Sequence, residues 1–181
     1  MFSDVNANTL YAAEITLLAE RGIISGFGNG TFGPDKLVTR QQFAKMIVLT
    51  LDYNVSPLLA CGFKDVDDQL DPNDPLYPAG YVAACAAAGI TVGKTPDTFG
   101  PWDNITRAQL ITMVARAAGM PDPPVNYVPP FGEFCPTHYP WALKAAAAGA
   151  LDGFVGMGPN FDFWASANRA EVCLLLAGLL E

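Results

Sequence analysis

The feature that most limits how this chain can fold is its self-similarity: one pattern of about 60 residues occurs three times in 181. Copy one runs from Phe2-Ser3-Asp4-Val5 through a helical stretch to Gly22-Ile23, then Gly30-Thr31-Phe32-Gly33-Pro34, then Thr39-Arg40-Gln41-Gln42 and an apolar run to Leu51. Copy two repeats these signals as Phe63-Lys64-Asp65-Val66, Gly89-Ile90, Asp97-Thr98-Phe99-Gly100-Pro101 and Thr106-Arg107-Ala108-Gln109. Copy three has drifted to Phe131-Gly132-Glu133-Phe134, Gly149-Ala150, Asn160-Phe161-Asp162-Phe163 and Asn168-Arg169-Ala170-Glu171. The repeats occupy 1–52, 62–119 and a divergent 131–181, joined by linkers at 53–61 and 120–130. The second linker holds Pro121, Pro123, Pro124, Pro129 and Pro130 and is expected to be stiff and extended.

Spacing separates the fixed part of the unit from the variable part. Glycine to arginine is 18 residues in copies one and two and 20 in copy three. The front half is longer in copy two, where an Asp- and Pro-rich stretch runs from Asp67 to Pro78. After each arginine, positions +3, +6, +7, +10 and +11 are Phe43, Met46, Ile47, Thr50 and Leu51, with apolar or small residues recurring at the same places in the other copies. That spacing is one face of an α-helix. Val48, Leu49, Ile111 and Leu174 lie off the face, which predicts helices buried nearly all round. The first helix of each copy is alanine-rich and ends at glycine, as helices prefer. The expectation is an all-α chain of three helix-loop-helix repeats around a central three-helix bundle, since no unit can bury its apolar face alone.

Charge narrows the partners. Ten Lys and Arg against eighteen Asp and Glu leave a net −8, with no basic stripe to neutralise phosphates, so nucleic acid is not expected as a partner. No run of about 18 uncharged apolar residues suits membrane insertion. Met1-Phe2-Ser3-Asp4 has neither the basic start nor the apolar middle of an export signal, so any such signal is expected outside the chain. Four cysteines lack Cys-x-x-Cys spacing, which speaks against a zinc site, and no cofactor is expected.

Within the repeats, Thr39 with Gln42, Thr106 with Gln109, and Asn168 with Glu171 fit the capping box. The arginine between them does not follow from capping, because a cation at a helix start opposes the helix dipole by about 0.3 to 1 kcal/mol. Yet Arg40, Arg107 and Arg169 are three of only five arginines. A guanidinium beside free helix N–H groups is a carboxylate or phosphate receptor; a structural ion pair with a neighbouring copy's Asp is the alternative. Asp4 and Asp65, replaced by Glu133 in copy three, are turn acceptors or hydroxyl-binding groups. Trp102 and Trp164 each stand five residues before an arginine, placed for stacking on a sugar ring or for partial core burial.

In these motifs the chain resembles three tandem S-layer homology domains of bacterial cell-surface proteins. The family pattern Phe-x-Asp-Val, Gly-Ile-Ile-x-Gly, Gly-Thr-Phe-x-Pro and Thr-Arg-Ala-Glu is met by Phe2 to Val5, Gly22 to Gly26, Gly30 to Pro34 and Thr39 to Gln42. The resemblance implies a pseudo-threefold, three-pronged arrangement with grooves between repeats. It further implies an extracellular place in the cell wall or S-layer and noncatalytic binding of an anionic cell-wall glycan, a secondary polysaccharide with a pyruvylated sugar. Carried over, the ligand-binding residues are Arg40, Arg107, Arg169, Asp4, Asp65, Glu133, Gly26, Gly93 and Gly153, with Trp102 and Trp164. The family's tryptophan at the start of the first helix aligns with Leu10 and Tyr77, which leaves Tyr77 as the aromatic candidate there. Departures include Gln42 and Gln109 for the motif's Glu, and in copy three Asn168, Phe163 and the extra Val155-Gly156.

Other functional classes fit less well. A glycan-cleaving enzyme needs one carboxylate pair around a sugar, whereas the acids here follow the repeat; the only histidine, His138, offers little for nucleophilic catalysis. The alternative to glycan anchoring is a self-assembly or protein-interaction module whose arginines meet acids of other surface-layer subunits. The export implied by the resemblance would allow Cys61 to pair with Cys85 and Cys135 with Cys173, buried free cysteine being the alternative.

Overall fold

The computed structural model describes residues 2–180; Met1 and Glu181, which the repeat boundaries include, lie outside the described residues. Six α-helices follow one another: α1 (Ala12–Glu20), α2 (Arg40–Thr50), α3 (Ala79–Ala87), α4 (Arg107–Ala117), α5 (Tyr139–Ala147) and α6 (Arg169–Ala177). Among the described residues regular structure is otherwise limited to isolated β-bridges, so the chain is all-α as expected.

Local chemistry sets the helix ends. Thr39, Thr106 and Asn168 each accept from the N–H three residues on while Gln42, Gln109 and Glu171 reach back to the cap residue's N–H, so all three capping boxes are formed. The first helices have no side-chain cap but close with a common C-terminal signal. Gly22 donates to Ala19 O and Ile23 to Leu18 O, and Gly89 and Gly149 repeat this with their successors. This Schellman pattern needs a left-handed residue, and the three glycines have φ of 69°, 71° and 77°.

The main packing pairs join different repeats. Helix α3 packs on α2, α5 on α4 and α1 on α6, while α6 also meets α2 and α4. Each first helix therefore covers the second helix of another copy, and the chain closes because copy one's α1 lies on copy three's α6. The apolar face read from the sequence is the core: Phe43, Ile47, Leu110, Val114, Val172 and Leu176 are all buried. Leu49 departs from the expectation of all-round burial, being 36% exposed, because α3 and α6 leave that side of α2 open.

Short backbone bonds tie the helix starts into a cycle. Val38 N–H donates to Ala167 O (3.2 Å), Ala167 N–H to Ile105 O (2.8 Å) and Ile105 N–H to Val38 O (2.9 Å). The next residues continue the scheme: Arg40 and Gln41 donate to Asp103 and Pro101, Arg107 and Ala108 to Ala165 and Phe163, and Arg169 and Ala170 to Lys36 and Pro34. These bonds correct one expectation. The first N–H groups of α2, α4 and α6 are already satisfied by carbonyls of another repeat, so they are not free anion receptors.

All four cysteines are free thiols, so the pairs Cys61 with Cys85 and Cys135 with Cys173 are not formed. Cys85 is buried on α3 with its Sγ 3.7 Å from Ala44 O, and Cys173 is buried on α6. Burial pushes both thiols up to about 12, which keeps them inert.

Candidate functional site

The three arginines occupy equivalent places but have different surroundings. Each lies against the loop of another repeat: Arg40 over the Phe99 ring of copy two (4.6 Å), Arg107 over Phe161 of copy three (5.0 Å) and Arg169 over Phe32 of copy one (4.2 Å). The charge of each guanidinium is then met differently.

Arg40 is 4% exposed and its Nε donates to Phe99 O at 2.8 Å. Among the described residues its two Nη groups have no protein acceptor, yet neither is sealed from solvent. They belong to a cleft of about 220 Å³ lined by Arg40, Lys94, Arg116, Thr91, Thr112 and His138 among others, with Gly93 in its wall and, among the described residues, no lining carboxylate. Lys94 reaches out to pair with Asp103, and Arg116 lies 5.0 Å over Trp141. Burial lowers Arg40's proton affinity and Asp103 and Asp65 raise it, but an arginine stays charged across this range. The result is a concentrated positive field within a chain of net −8.

Arg169 borders a second cleft of about 210 Å³ with Ser25, Gln42, Lys45, Asp71 and Tyr77. Its Nη2 donates to Ser25 O at 2.7 Å, and its buried Nε lacks a partner. Here the Asp-rich insertion of copy two intervenes: Asp71 lines the cleft, and Asp74 takes Lys45 at 2.6 Å. Tyr77 lies under Lys45, 5.3 Å from its Nζ.

Arg107 is internally neutralised. Its Nε and Nη2 donate to Glu171 Oε1 at 3.0 and 2.5 Å, and Nη1 to Asp162 O at 3.4 Å. Glu171 Oε2 meanwhile accepts from Asn168 N–H in the capping box, so one carboxylate does both jobs. The inserted Val155 donates its N–H to the Tyr11 hydroxyl at 2.9 Å, which ties the copy-three loop to the start of α1.

The remaining candidates divide between scaffold and surface. Asp4 accepts from Phe32 and Gly33 N–H at 2.7 Å each, and Asp65 from Phe99 and Gly100 at 2.8 Å each. The Phe32 N–H holds the Asp4 carboxyl below the usual range; at Asp65 desolvation acts upward but the two N–H bonds outweigh it. Both carboxylates act as turn acceptors that shape the Phe-Gly loops against which Arg169 and Arg40 lie. Glu133 is exposed and makes no such bond; in copy three Asp162 Oδ1 accepts from Trp164 and Ala165 instead. Gly26 is required by packing, since a Cβ there would stand 2.6 Å from the Phe2 ring and from Thr31 O. At Gly93 (φ 77°) a Cβ would strike Phe63 and two carbonyls, whereas at Gly153 it would meet only the Leu174 side chain at 3.1 Å. Trp102 is 63% and Trp164 52% exposed. Trp164 makes near-perpendicular ring contacts with Phe134 and with His138 of the Arg40 cleft, with ring centres 6.2 and 6.0 Å apart.

Comparison with known families agrees with this geometry. The sequence model of the S-layer homology domain matches residues 2–44 and 62–111. The chain belongs to the S-layer homology domain family. Its place is accordingly the cell surface. An S-layer protein of Bacillus anthracis is 30% identical over 185 residues, covering 97% of this chain and 20% of that protein. A surface layer protein of Brevibacillus choshinensis is 34% identical over 98 residues, 54% of this chain and 8% of its own length. A cellulosome-anchoring protein of Acetivibrio thermocellus is 28% identical over 152 residues, 83% of this chain and 32% of its length. The chain thus spans a third or less of each of these relatives.

Sequence reasoning missed Lys94, Arg116, Thr112 and His138 as cleft residues, Glu171 as the group that neutralises Arg107, and Tyr11 as the group that ties down the copy-three loop. One signal was available. Glu171 is the only capping-box residue of the three that carries a charge, and it sits one copy away from an otherwise unpaired arginine.

Proposed function

We propose that this S-layer homology module anchors its parent protein to the cell wall without catalysis, by holding an anionic secondary cell-wall polysaccharide in the clefts between repeats. The carrying observation is the Arg40 cleft, where Arg40, Lys94 and Arg116 converge with, among the described residues, no lining carboxylate. A pyruvylated sugar suits it: its carboxylate accepts charge-assisted hydrogen bonds from guanidinium groups, and its hydroxyls meet Thr91 and Thr112. Trp164, exposed beside His138, offers a stacking face to a neighbouring ring. The Arg169 cleft is a weaker second site because Asp71 and Asp74 offset its cations, and Arg107 is neutralised by Glu171. The repeated acids have no catalytic disposition, since the oxygens of Asp4 and Asp65 are taken by backbone N–H groups.

The test is co-sedimentation with purified cell walls of the source organism before and after removal of the wall polysaccharide. Wild type should bind only the complete walls, and Arg40→Ala should lose most of that binding. Equal binding to stripped walls would replace the ligand, and unchanged binding by Arg40→Ala would reject the site. Self-association of the wild type that Arg40→Ala abolishes would favour assembly with other surface-layer subunits instead.

A further inference from the structure

The Arg40 cleft contains the only histidine of the chain, and its position there is fixed. His138 ends the segment leading into α5, and its Nδ1 is 2.8 Å from Thr112 Oγ1 on α4. Among the described residues Nε2 has no protein partner and is not sealed, and Trp164 stands edge-on to the ring. The charged groups around the imidazole are all cations: Arg116 from α4, Arg40 from α2 and Lys94 from the loop after α3, of which only Lys94 has a carboxylate partner.

We propose that Arg116 and His138 complete one carboxylate receptor with Arg40, and that His138 takes up a proton from solvent when the carboxylate binds. The inference rests on the reading of this cleft as the glycan site and adds to it His138, a ligand-linked proton and a direction of pH dependence. In the empty cleft desolvation, Arg116 and Arg40 all disfavour the imidazolium and hold His138 below the ordinary histidine range. A bound carboxylate reverses the local field, so the charged ring becomes the favoured form and its N–H groups become charge-assisted donors. Protonation and binding then reinforce one another. The sign is fixed: with the midpoint low in the free protein and higher in the complex, affinity rises as pH falls through that interval and is flat above it.

Two measurements test this on the whole module. The first follows the His138 ring proton by NMR from pH 5 to 8 in pyruvate, whose carboxylate is ionised throughout, and in chloride of equal ionic strength. The titration midpoint should be higher in pyruvate by roughly half to one pH unit, and the difference should shrink in Arg116→Gln; the same midpoint in both salts overturns the proposal. The second is wall co-sedimentation at pH 5.5 and 7.5. Wild type should bind roughly three- to tenfold more tightly at the lower pH, the factor such a midpoint change carries, while His138→Gln binds equally at both. An unchanged ratio in His138→Gln overturns the proton linkage and leaves the glycan site standing if Arg40→Ala still loses binding. Retained binding by Arg40→Ala removes the underlying reading itself.

Discussion

Arg40 and Arg107 begin from the same design, each the first residue of an α-helix, after a Thr cap and against a phenylalanine of another repeat's loop. They end in opposite electrostatic states. Arg107 meets Glu171 in a close ion pair with side chains only 23% and 7% exposed, whereas the amino groups of Arg40 face a cleft holding two more cations. Repetition of a residue therefore preserves its place in the scaffold, while its neighbours decide its chemistry. The difference comes down to one position, since the capping residue is uncharged Gln109 beside the Arg40 cleft and charged Glu171 beside Arg107.

The largest expected effect tests the closed side. Arg107→Ala leaves Glu171 buried without its partner, which should lower stability by about 2–3 kcal/mol, somewhat below the usual cost for a fully buried pair because Arg107 retains some exposure. Thermal or denaturant unfolding reads this, and wall binding at a temperature where the variant is folded should stay within about twofold of wild type, as expected for a site outside the binding set. Arg40→Ala should reverse the pattern. Loss of a charge-assisted contact predicts about tenfold weaker wall binding or more. Its stability cost, from the Phe99 ring contact and the bond to Phe99 O, should be about 1–2 kcal/mol. If both variants lose binding equally, the two arginines are not functionally different.

A gain-of-function variant sharpens the same contrast. Glu171→Gln keeps the capping geometry already used by Gln42 and Gln109 but releases Arg107. It should lower stability by about 1–3 kcal/mol. It should also strengthen binding to intact walls by roughly two- to fourfold, through avidity from an additional uncompensated arginine on a multivalent surface. Unchanged binding would mean that Tyr11 and the copy-three loop keep Arg107 from a ligand independently of charge.

The sequence made the local parts of this architecture readable because each depends on residues a turn apart. Capping boxes, Schellman glycines and the buried faces of α2, α4 and α6 all lie within such windows. What escaped was the identity of the partners between repeats. Arg107 and Glu171 are 64 residues apart, and Arg40 bonds a carbonyl 59 residues away. Whether a helix-start N–H is free or satisfied depends on how three loops register around a shared cycle, which no local pattern encodes. The same holds for the aromatic at the start of α1, which the sequence alone did not place. Alignment pointed to Leu10, but the left-handed turn at Tyr11 (φ 59°) brings Tyr11 to Val155 of the distant third repeat and leaves Leu10 48% exposed.

The smallest expected effect is also the most exact comparison, because it subtracts scaffold costs. A double-mutant cycle on Arg107 and Glu171 should give a coupling energy of about 1–2 kcal/mol, as two short hydrogen bonds join them in a partly desolvated setting. The corresponding cycle on Arg40 and Asp103 should give under about 0.5 kcal/mol. Asp103 influences Arg40 only through space, its carboxylate being paired with Lys94 and exposed by about half, and the bond from Arg40 N–H goes to its backbone carbonyl, which Asp103→Asn retains. A large coupling at Arg40 would show that its guanidinium already has a carboxylate partner in solution, and a cleft arginine so engaged has no free charge to offer a wall glycan.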